Sequence, residues 1–335
     1  MMTLVTGASG HLGLTLVKQL LAEGRRVRAL VRKTSRLTGL KAAEAEFPKG
    51  LEIVCGDMLD RPSLQSALKG CGVVYHTAAV FRTRLADESI MMKTAVEGTR
   101  HLLELCRDTS AIRKILYTSS VAAVGCRRTP EGVMTEKDWN RDPIDAYVAS
   151  KLESEKLALQ LMRQWSLPVV FLNPGTILGP QDYTPTPSNW FILLAMKRLP
   201  PVYFDGGHSY TDVEDVAEGH RLAEEKGAVG ERYILGGENI SIRETFQRIG
   251  QLKGSRLPRF KVGHRFVSVA GLGVEALASM TGKPPLFTRR KAHQLVDYYV
   301  YVSSERARRE LGYRHRSFRE ILERCQAWYR DQRWL

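Results

Sequence analysis

Residues 2–13 read MTLVTGASGHLG, and this stretch decides the fold. The apolar run at 2–6 predicts a short buried strand, and an amphipathic helical pattern follows it. Three glycines occupy the junction. The first, Gly7, allows a tight turn, the second, Gly10, lets backbone N–H groups approach a pyrophosphate, and the third, Gly13, lets helix and strand pack closely. Because the positive end of the helix would face the phosphates, the stretch predicts a dinucleotide-binding loop.

The first half of the chain repeats this alternation of strand and helix. Spacers long enough for crossover helices separate the apolar runs, which is typical of a parallel sheet covered on both faces. We therefore predict an α/β fold, a Rossmann-type doubly wound parallel sheet with a smaller, partly helical C-terminal substrate-binding portion. The further strands are expected at 27–31, 51–54, 73–76, 114–118 and 169–173.

The regular pattern weakens after about residue 175, where Gly179-Pro180 marks a loop or boundary. We predict that residues 1–175 form the dinucleotide-binding domain and carry the catalytic residues. Residues 176–335 would mainly bind substrate, with some segments returning to the first domain. In this second part, Ser241 and Glu244 form a capping box, which predicts the start of a helix.

The composition is that of an ordinary globular protein, with 43% hydrophobic and 26% charged residues, and excludes a disordered or collagen-like chain. Its 50 Lys and Arg against 36 Asp and Glu give a net charge of +14. Such a charge favours nucleic acid, an anionic membrane or phosphorylated small molecules as partners. About half of the excess lies after residue 280, where it would attract an anionic substrate or a membrane surface, or form a solvated exterior. No recognised nucleic-acid-binding motif accompanies the charge, so we predict no nucleic-acid partner.

The cysteines indicate a reducing compartment, because five of them form no C-x-x-C pair. Neither a disulfide framework nor a metal site is expected. The N-terminus has no signal-peptide pattern. The most apolar late window, 262–280, is interrupted by His264, Arg265 and Glu275, which argues against a bilayer span. We expect a cytoplasmic chain without an integral membrane segment.

The end of the second predicted strand distinguishes two cofactors. In an NAD enzyme an acidic residue at this position holds the ribose 2′-OH. Here the strand is followed by Arg32 and Lys33, with Arg36 one turn later. A guanidinium can hold a 2′-phosphate in a two-pronged hydrogen bond worth about 1.5–3 kcal/mol, whereas a carboxylate would repel it. We therefore predict NADP(H) as the cofactor; the alternative is a solvated basic turn.

A tyrosine and a lysine four residues apart, Tyr147 and Lys151, share one face of a predicted helix. Hydride transfer to a carbonyl carbon requires a proton donor at the oxygen, and a neighbouring ammonium lowers the pKa of a tyrosine from about 10 toward working pH. A serine hydroxyl from Ser119-Ser120, after the fifth strand, can orient the same oxygen. A Tyr–Lys pair alone is common on helix surfaces. Together with the glycine loop and the serines, it predicts a catalytic site.

The G-x-x-G-x-x-G spacing, the Tyr-x-x-x-Lys pair and the upstream serines resemble the extended branch of the short-chain dehydrogenase/reductase superfamily. Later segments at 211–217, 230–237 and 303–313 look like landmarks of this branch, so the resemblance covers nearly the whole chain. The chain most resembles the dihydroflavonol-4-reductase-like group, which includes the hopanoid-associated sugar epimerase proteins. Such sequences are often assigned to the NAD-dependent epimerase/dehydratase family.

This resemblance implies roles for individual residues. Ser120, Tyr147 and Lys151 would be the catalytic triad, with Ser119 the less favoured serine. Ala95 stands where many relatives carry an asparagine that supports the active-site helix, which leaves the proton route or the local structure open. The candidate cofactor-binding residues are Gly7, Ser9, Gly10, His11, Leu12 and Gly13 in the loop, Arg32 and Lys33, Asp57 and Met58 at the adenine, Thr77, Ala78 and Ala79 beside the cofactor, Tyr147 and Lys151 at the nicotinamide ribose, and Pro174, Gly175 and Thr176 along the nicotinamide.

Three functions remain open. The first is an NADPH-dependent reductase of ketones or 3-oxo compounds, or a secondary-alcohol dehydrogenase in the reverse direction, with Tyr147 as the proton donor. The second is a nucleotide-sugar epimerase or dehydratase. Arg32 replaces the acid expected for an epimerase, and Ser119-Ser120 stand where a dehydratase carries an Asp-Glu pair. The third is a cofactor-sensing or RNA-binding scaffold, which the intact Ser-Tyr-Lys set disfavours.

Aromatic residues in the second half indicate apolar walls, and hence a lipid-like, aromatic or polyketide substrate over a polar sugar. The same residues are equally compatible with core positions. The family resemblance also implies a homodimer formed through helices. The aromatic residues in question are Tyr183, Trp190, Phe191, Phe204 and Tyr210.

Overall fold

The computed structural model describes residues 1–79, 88–254, 257–263, 266, 269, 272 and 296–335. Most of the apolar window 262–280 and the beginning of the basic C-terminal segment, 281–295, lie outside the described residues. In chain order the strands are β1 (Met2–Thr6), β2 (Arg26–Val31), β3 (Leu51–Cys55), β4 (Cys71–His76), β5 (Lys114–Thr118), β6 (Val169–Pro174), β7 (Thr176–Leu178), β8 (Val202–Tyr203), β9 (Gly206–Asp212), β10 (Arg232–Leu235), β11 (Glu238–Ser241), β12 (Phe260–Lys261) and β13 (Tyr298–Val300). The helices are α1 (His11–Ala22), α2 (Thr38–Glu46), α3 (Arg61–Leu68), α4 (Glu88–Arg107), α5 (Val121–Val124), α6 (Ala146–Trp165), α7 (Pro187–Lys197), α8 (Val213–Lys226), α9 (Ile242–Lys253), α10 (Glu305–Leu311) and α11 (Phe318–Asp331).

Seven strands form the central sheet in the order β3-β2-β1-β4-β5-β6-β10. Every neighbouring pair in it is parallel, which confirms the predicted α/β, Rossmann-type fold. All six strands predicted from the apolar runs belong to this sheet. The seventh, β10, comes from the second half of the chain and pairs with β6 at the edge.

The order of the strands reverses between β1 and β4, and such a reversal leaves a crevice at the carboxyl ends of the strands. Thr6, the last residue of β1, pairs with Leu30 of β2 on one side and with His76 of β4 on the other. The residues that follow these strands therefore meet at one edge of the sheet. This edge is where the glycine loop begins.

Two apolar layers cover the sheet, because successive strand residues point to opposite faces. In β1, Leu4 packs into one layer with Leu102 and Phe171, while Val5 packs into the other with Leu16. All of these side chains are fully buried. Complete burial of a side chain of this size contributes about 1.5–3 kcal/mol, so the two layers stabilise the sheet from both faces.

The second half of the chain builds a smaller unit around β9, which pairs with β7, β11 and β13. Helices α7, α9 and α11 enclose a third apolar core that contains Phe246 and Phe318. The predicted capping box is present: Ser241 Oγ accepts from the Glu244 N–H, and the Glu244 carboxylate accepts from the Ser241 N–H, at the start of α9. Within the described residues, the helices do not combine the length and apolar character that crossing a bilayer requires.

Candidate functional site

The glycine loop has the geometry that its sequence predicts. Gly7 has a φ of +68°, and a Cβ there would lie 2.7 Å from the Cα of Ala78. A Cβ on Gly13 would lie 2.3 Å from the carbonyl oxygen of Gly7. The Gly10 N–H donates to that same carbonyl at 2.9 Å, and Gly10, which has no side chain, forms the N-cap of α1. The loop therefore brings the N-terminus of α1 close to the carboxyl edge of the sheet.

A groove of about 300 Å³ runs along this edge. Residues at the ends of strands β1, β2, β3 and β4 and residues of α4 line it. The wall includes nine of the predicted cofactor-binding residues, Gly7, Ser9, Gly10, Arg32, Asp57, Met58, Thr77, Ala78 and Ala79. The sequence did not indicate the other lining residues, Leu30, Val31, Ser35, Gly56, Leu59, Ile90 and Thr94.

The two arginines of the basic turn after β2 occupy different surroundings. Arg32 is exposed and lines the groove, and its backbone N–H donates to Ser35 Oγ at 3.1 Å. Lys33 is exposed and is not part of the groove wall. Arg36 donates from Nη1 to the Tyr183 carbonyl at 2.7 Å, so its guanidinium ties this turn to the second half of the chain. Of these three basic residues, Arg32 is the one that lines the groove.

His11, Leu12 and Gly13 occupy the first turn of α1 and are buried. The His11 ring does not line the main groove: its Nε2 lies 2.9 Å from the Pro180 carbonyl oxygen. It borders an adjacent cavity of about 100 Å³ together with Ser9, Gly10 and Arg36. The side chain of His11 thus connects the dinucleotide loop to the segment that follows β7.

The candidate catalytic residues come together at the ends of β5 and α6. Asp145 caps α6 by accepting from the Val148 N–H at 2.8 Å, which places Tyr147 and Lys151 one turn apart. Ser120 Oγ accepts from the Ala122 N–H at 3.1 Å and shares a side-chain hydrogen bond with Tyr147. Ser120, Tyr147 and Lys151 are therefore brought together, as expected from the sequence.

The ionisation of this cluster differs from the sequence-based expectation. We expected the lysine ammonium to lower the pKa of Tyr147. In the structure, removal from solvent raises the pKa of Tyr147, and the hydrogen bond from Ser120 only partly opposes this. Burial also lowers the pKa of Lys151 from 10.5 to about 8. A phenol with a raised pKa keeps its proton at neutral pH, and this is the form that a proton donor needs.

Residues 174–176 continue from β6 directly beside the catalytic cluster. Asn173, the residue before them, donates from Nδ2 to the Ser120 carbonyl at 3.2 Å. Gly175 N–H donates to the Leu235 carbonyl at 3.1 Å, which joins this segment to β10. Pro174, Gly175 and Thr176 do not line the main groove. They directly follow Asn173, whose amide contacts the Ser120 carbonyl.

Ala95 borders the site. It lines a small cavity of about 20 Å³ between α4 and α6, together with His76, Tyr147 and Lys151. His76 is buried and its Nδ1 lies 2.8 Å from Thr6 Oγ1. Ala95, where the family resemblance leads one to expect an asparagine, therefore lies in the immediate surroundings of Lys151.

The aromatic residues of the second half lie mainly in or against the apolar cores. Tyr210 is buried and stacks on Phe318 at 4.7 Å between ring centroids. Phe191, which packs on Phe246 at 5.6 Å, and Phe204 lie against the third core. Tyr183 lies against the layer of the central sheet that contains Val5 and meets the Trp328 ring edge-on at 5.1 Å. Trp190 is 43% exposed. Tyr210 therefore occupies a core position, whereas Phe191, Phe204 and Tyr183 are half-buried at the edges of the apolar cores. Tyr183 also lines the cavity beside the glycine loop.

Comparisons with known proteins agree with this architecture. The model of the NAD dependent epimerase/dehydratase family matches residues 3–236. Sterol demethylase protein B of Methylococcus capsulatus is 33% identical over 338 residues, covering 99% of both chains. A putative dihydroflavonol 4-reductase of Synechocystis sp. is 31% identical, covering 98% of this chain and 94% of the relative. A 4-hydroxy-2-methyl-3-oxo-4-farnesyl-3,4-dihydroquinoline-1-oxide ketoreductase of Stigmatella aurantiaca is 29% identical, covering 93% and 92%.

Solved structures show the same fold over the whole chain. The crystal structure of gox2253 superimposes with a TM-score of 0.83 at 37% identity and covers 99% of this chain and 98% of that one. DesIV, a dTDP-glucose 4,6-dehydratase from Streptomyces venezuelae solved with NAD, has a TM-score of 0.80 at 26% identity, with the same coverage. The family model spans well over half of the chain, and full-length relatives exceed 30% identity. The chain therefore belongs to the NAD dependent epimerase/dehydratase family, within the extended short-chain dehydrogenases/reductases.

Proposed function

We propose that this protein is an NADPH-dependent reductase of ketones or 3-oxo compounds, working in reverse as a secondary-alcohol dehydrogenase. One observation carries the proposal: Tyr147 is hydrogen-bonded to Ser120, with Lys151 one turn away, at the end of the sheet edge where the glycine loop opens. A proton donor, a hydroxyl that orients a carbonyl and a cation then lie next to a dinucleotide groove. Reduction of a carbonyl requires this combination.

The groove fits a dinucleotide. Its wall contains Gly7, where a Cβ would collide with the Ala78 backbone, and Gly10, where a Cβ would approach the Gly7 carbonyl oxygen to 3.2 Å. The N-terminus of α1 presents backbone N–H groups where a pyrophosphate would bind. Asp57 and Met58 line the part expected for the adenine. The reduced cofactor supplies the hydride when bound. Lys151 would hold the nicotinamide ribose, as the family resemblance implies.

The residues of the chain orient the carbonyl group and donate the proton that its oxygen receives. Ser120 holds the substrate carbonyl oxygen by a hydrogen bond, while Tyr147 donates its phenolic proton to that oxygen as the carbonyl carbon receives the hydride. The product is an alcohol, and Tyr147 recovers its proton from solvent. The raised pKa of Tyr147 favours this direction, since the phenol starts protonated.

The preference for NADPH rests on Arg32. Arg32 lines the groove at the end of β2, and Ser35 lines the same wall. A 2′-phosphate placed there would gain a charged hydrogen bond worth about 1.5–3 kcal/mol, which the 2′-OH of NADH cannot make.

We propose an apolar substrate because two relatives point to one. One is named for sterol demethylation and another for reduction of a farnesyl-bearing quinoline oxide. A cytoplasmic location and a homodimer stay predictions from the sequence.

A nucleotide-sugar epimerase or dehydratase is the second candidate. The likeness to DesIV over 99% of the chain favours it. Against it, Arg32 replaces the acid expected for NAD, and Ser119-Ser120 stand where the dehydratase pair is expected.

A screen tests the proposal. The purified protein is incubated with NADPH or NADH and a panel of apolar ketones and 3-oxo esters, and in parallel with NAD and dTDP-glucose. We expect substrate-dependent NADPH oxidation with at least one apolar ketone and none with Tyr147→Phe. Conversion of the sugar nucleotide without net change in the cofactor would replace the proposal with the second candidate.

A further inference from the structure

We propose that Glu155, paired with Arg232, is a positioning residue of the reductase site that fixes the turn carrying Ser120 and supplies the negative charge facing Lys151. The inference rests on the proposed function, because it assigns Ser120 and Lys151 their roles. The sequence did not single out Glu155, which stands among the polar residues of α6.

Glu155 lies four residues after Lys151 on α6 and is completely buried. Three elements converge on its carboxylate. Oε2 accepts from the Ser119 hydroxyl at the end of β5 and from Asn173 Nδ2 of β6 at 2.9 Å, and Oε1 accepts from Arg232 Nε of β10 at 2.6 Å. One side chain of the catalytic helix thereby holds the carboxyl ends of two neighbouring strands and the start of a third.

Arg232 is itself held firmly. It is 6% exposed, and its Nη1 donates to the carbonyl oxygens of Glu136 and Asp138 at 2.7 and 2.8 Å. Its guanidinium carbon lies 3.9 Å from the centre of the Trp139 ring, a cation–π contact. Replacing a buried ion pair by well-packed apolar side chains is often neutral for stability. Stability alone therefore does not account for this pair, whereas fixing the geometry of the site does.

The pair determines which serine faces the phenol. Ser120 has extended backbone angles, φ −165° and ψ 156°, so neighbouring side chains point in opposite directions. Because Ser119 is held by Glu155, Ser120 is directed to Tyr147. The Asn173 amide reinforces this by binding both Glu155 and the Ser120 carbonyl.

Glu155 also sets the electrostatic surroundings of Lys151. Among the described residues, the ionisable groups that line the cavity together with Lys151 are His76 from β4, Tyr117 from β5 and Tyr147 from its own helix. Burial lowers the pKa of His76 to about 3 and raises that of Tyr117 to about 12, so both are neutral between pH 6 and 9. The residues of α4 in this cavity, Met91, Thr94, Ala95 and Thr99, do not ionise. Glu155 is the group that opposes the lowering of the Lys151 pKa by burial.

The main test compares Glu155→Gln with Glu153→Gln. Glu153 is exposed on the same helix and pairs with Lys156 at 3.2 Å, so it is the matched control. We expect kcat of Glu155→Gln to fall about 10- to 100-fold, as for a misplaced catalytic group, with the Kd of NADPH changed less than about twofold. The alkaline limb of its pH–rate profile moves to lower pH, because Lys151 loses its proton earlier. An unchanged kcat and an unchanged pH profile overturn the inference.

Two milder variants cover the case in which Glu155→Gln fails to fold. Glu155→Asp keeps the charge and should retain the wild-type pH profile while kcat falls. Ser119→Ala keeps the ion pair and should lower kcat without moving the pH profile. Wild-type kcat in both variants overturns the inference.

A readout without turnover separates this inference from the proposed function. In protein labelled with ¹³C-lysine, the Lys151 Cε signal, identified by its loss in Lys151→Met, is followed against pH. We expect a lower Lys151 pKa in Glu155→Gln than in the wild type and in Glu153→Gln. The same pKa in all three contradicts the inference even if carbonyl reduction is confirmed. If no carbonyl reduction is detected, a lower pKa of Lys151 in Glu155→Gln still supports the electrostatic role of Glu155.

Discussion

The ammonium of Lys151 donates a hydrogen bond to the carbonyl oxygen of Thr118 at 3.1 Å. This contact ties helix α6 to the end of β5, immediately before the two serines. The helix and the strand end are therefore held in register, and Tyr147 and Ser120 can share a hydrogen bond. The geometry needed for a proton donor beside an oxygen-orienting hydroxyl is present in the fold itself.

Removal of the Tyr147 hydroxyl should nearly abolish turnover. General acid catalysis contributes typically about 10²–10⁴-fold, so we expect kcat of Tyr147→Phe to fall by this factor. The Kd of NADPH, measured by fluorescence quenching, should stay within about twofold, since the groove is unchanged. Tyr233→Phe is the control, because Tyr233 packs in the apolar layer with α1 and α8. Turnover of Tyr147→Phe within a factor of about three of the wild type would rule out the phenol as donor.

Loss of the Arg32 guanidinium should weaken NADPH selectively. A contribution of about 1.5–3 kcal/mol corresponds to a rise of about 10- to 150-fold in the Kd of NADPH for Arg32→Ala, with little change for NADH. Arg26→Ala is the matched control, because Arg26 is exposed at the opposite end of the same strand. Titration of both cofactors by calorimetry gives the two constants. Equal affinities of the wild type for NADPH and NADH would contradict the predicted preference for NADPH.

A methyl group at Gly13 should damage both the fold and the cofactor site. Its Cβ would lie 2.3 Å from the Gly7 carbonyl oxygen, so backbone must move. Overpacking of this kind costs about 1–3 kcal/mol, and Gly13→Ala should unfold at a lower temperature and lose dinucleotide affinity. At Gly263 a Cβ would meet no described atom within 4 Å, which makes Gly263→Ala the control. Thermal unfolding with and without NADPH is the measurement, and identical melting of Gly13→Ala and wild type would contradict the loop geometry.

The rate of carbonyl reduction should fall as the pH rises through about 8. Burial lowers the pKa of Lys151 from 10.5 to about 8, so the ammonium loses its proton above this pH. Tyr147, whose pKa is raised, stays protonated over the same range and does not account for the fall. A profile of kcat against pH from 6 to 10 checks this. A rate that stays constant up to pH 10 would show that the charge of Lys151 is not required.

The sequence predicts the central sheet well because its strands are continuous apolar runs with characteristic turns. The six predicted strands and the glycine loop depend on local patterns of this kind. Strand β10 lacks such a pattern: it is four residues long and begins with Arg232, and it becomes a strand by pairing with β6. Its place in the sheet depends on a contact distant in the sequence.

The same reason explains the residues of the site that were missed. Ile90 and Thr94 line the groove from α4, where nothing in a helical pattern marks a position facing a cofactor. Glu155 has the sequence surroundings of a solvated helix residue, and its burial depends on Arg232 of β10. Tyr183 lies against a layer of the central sheet and Tyr210 lies in the core of the smaller unit, and composition alone does not distinguish a core aromatic from a pocket aromatic.

Tracing the transferred hydrogen tests the central claim most directly. The protein is incubated with an apolar ketone and NADPH deuterated on both faces of nicotinamide C4, and the product is examined by NMR and mass spectrometry. The account predicts one deuterium on the carbinol carbon for each NADPH oxidised, and loss of this product in Tyr147→Phe. A carbinol without deuterium, or a sugar nucleotide converted while NADPH stays unoxidised, would contradict it.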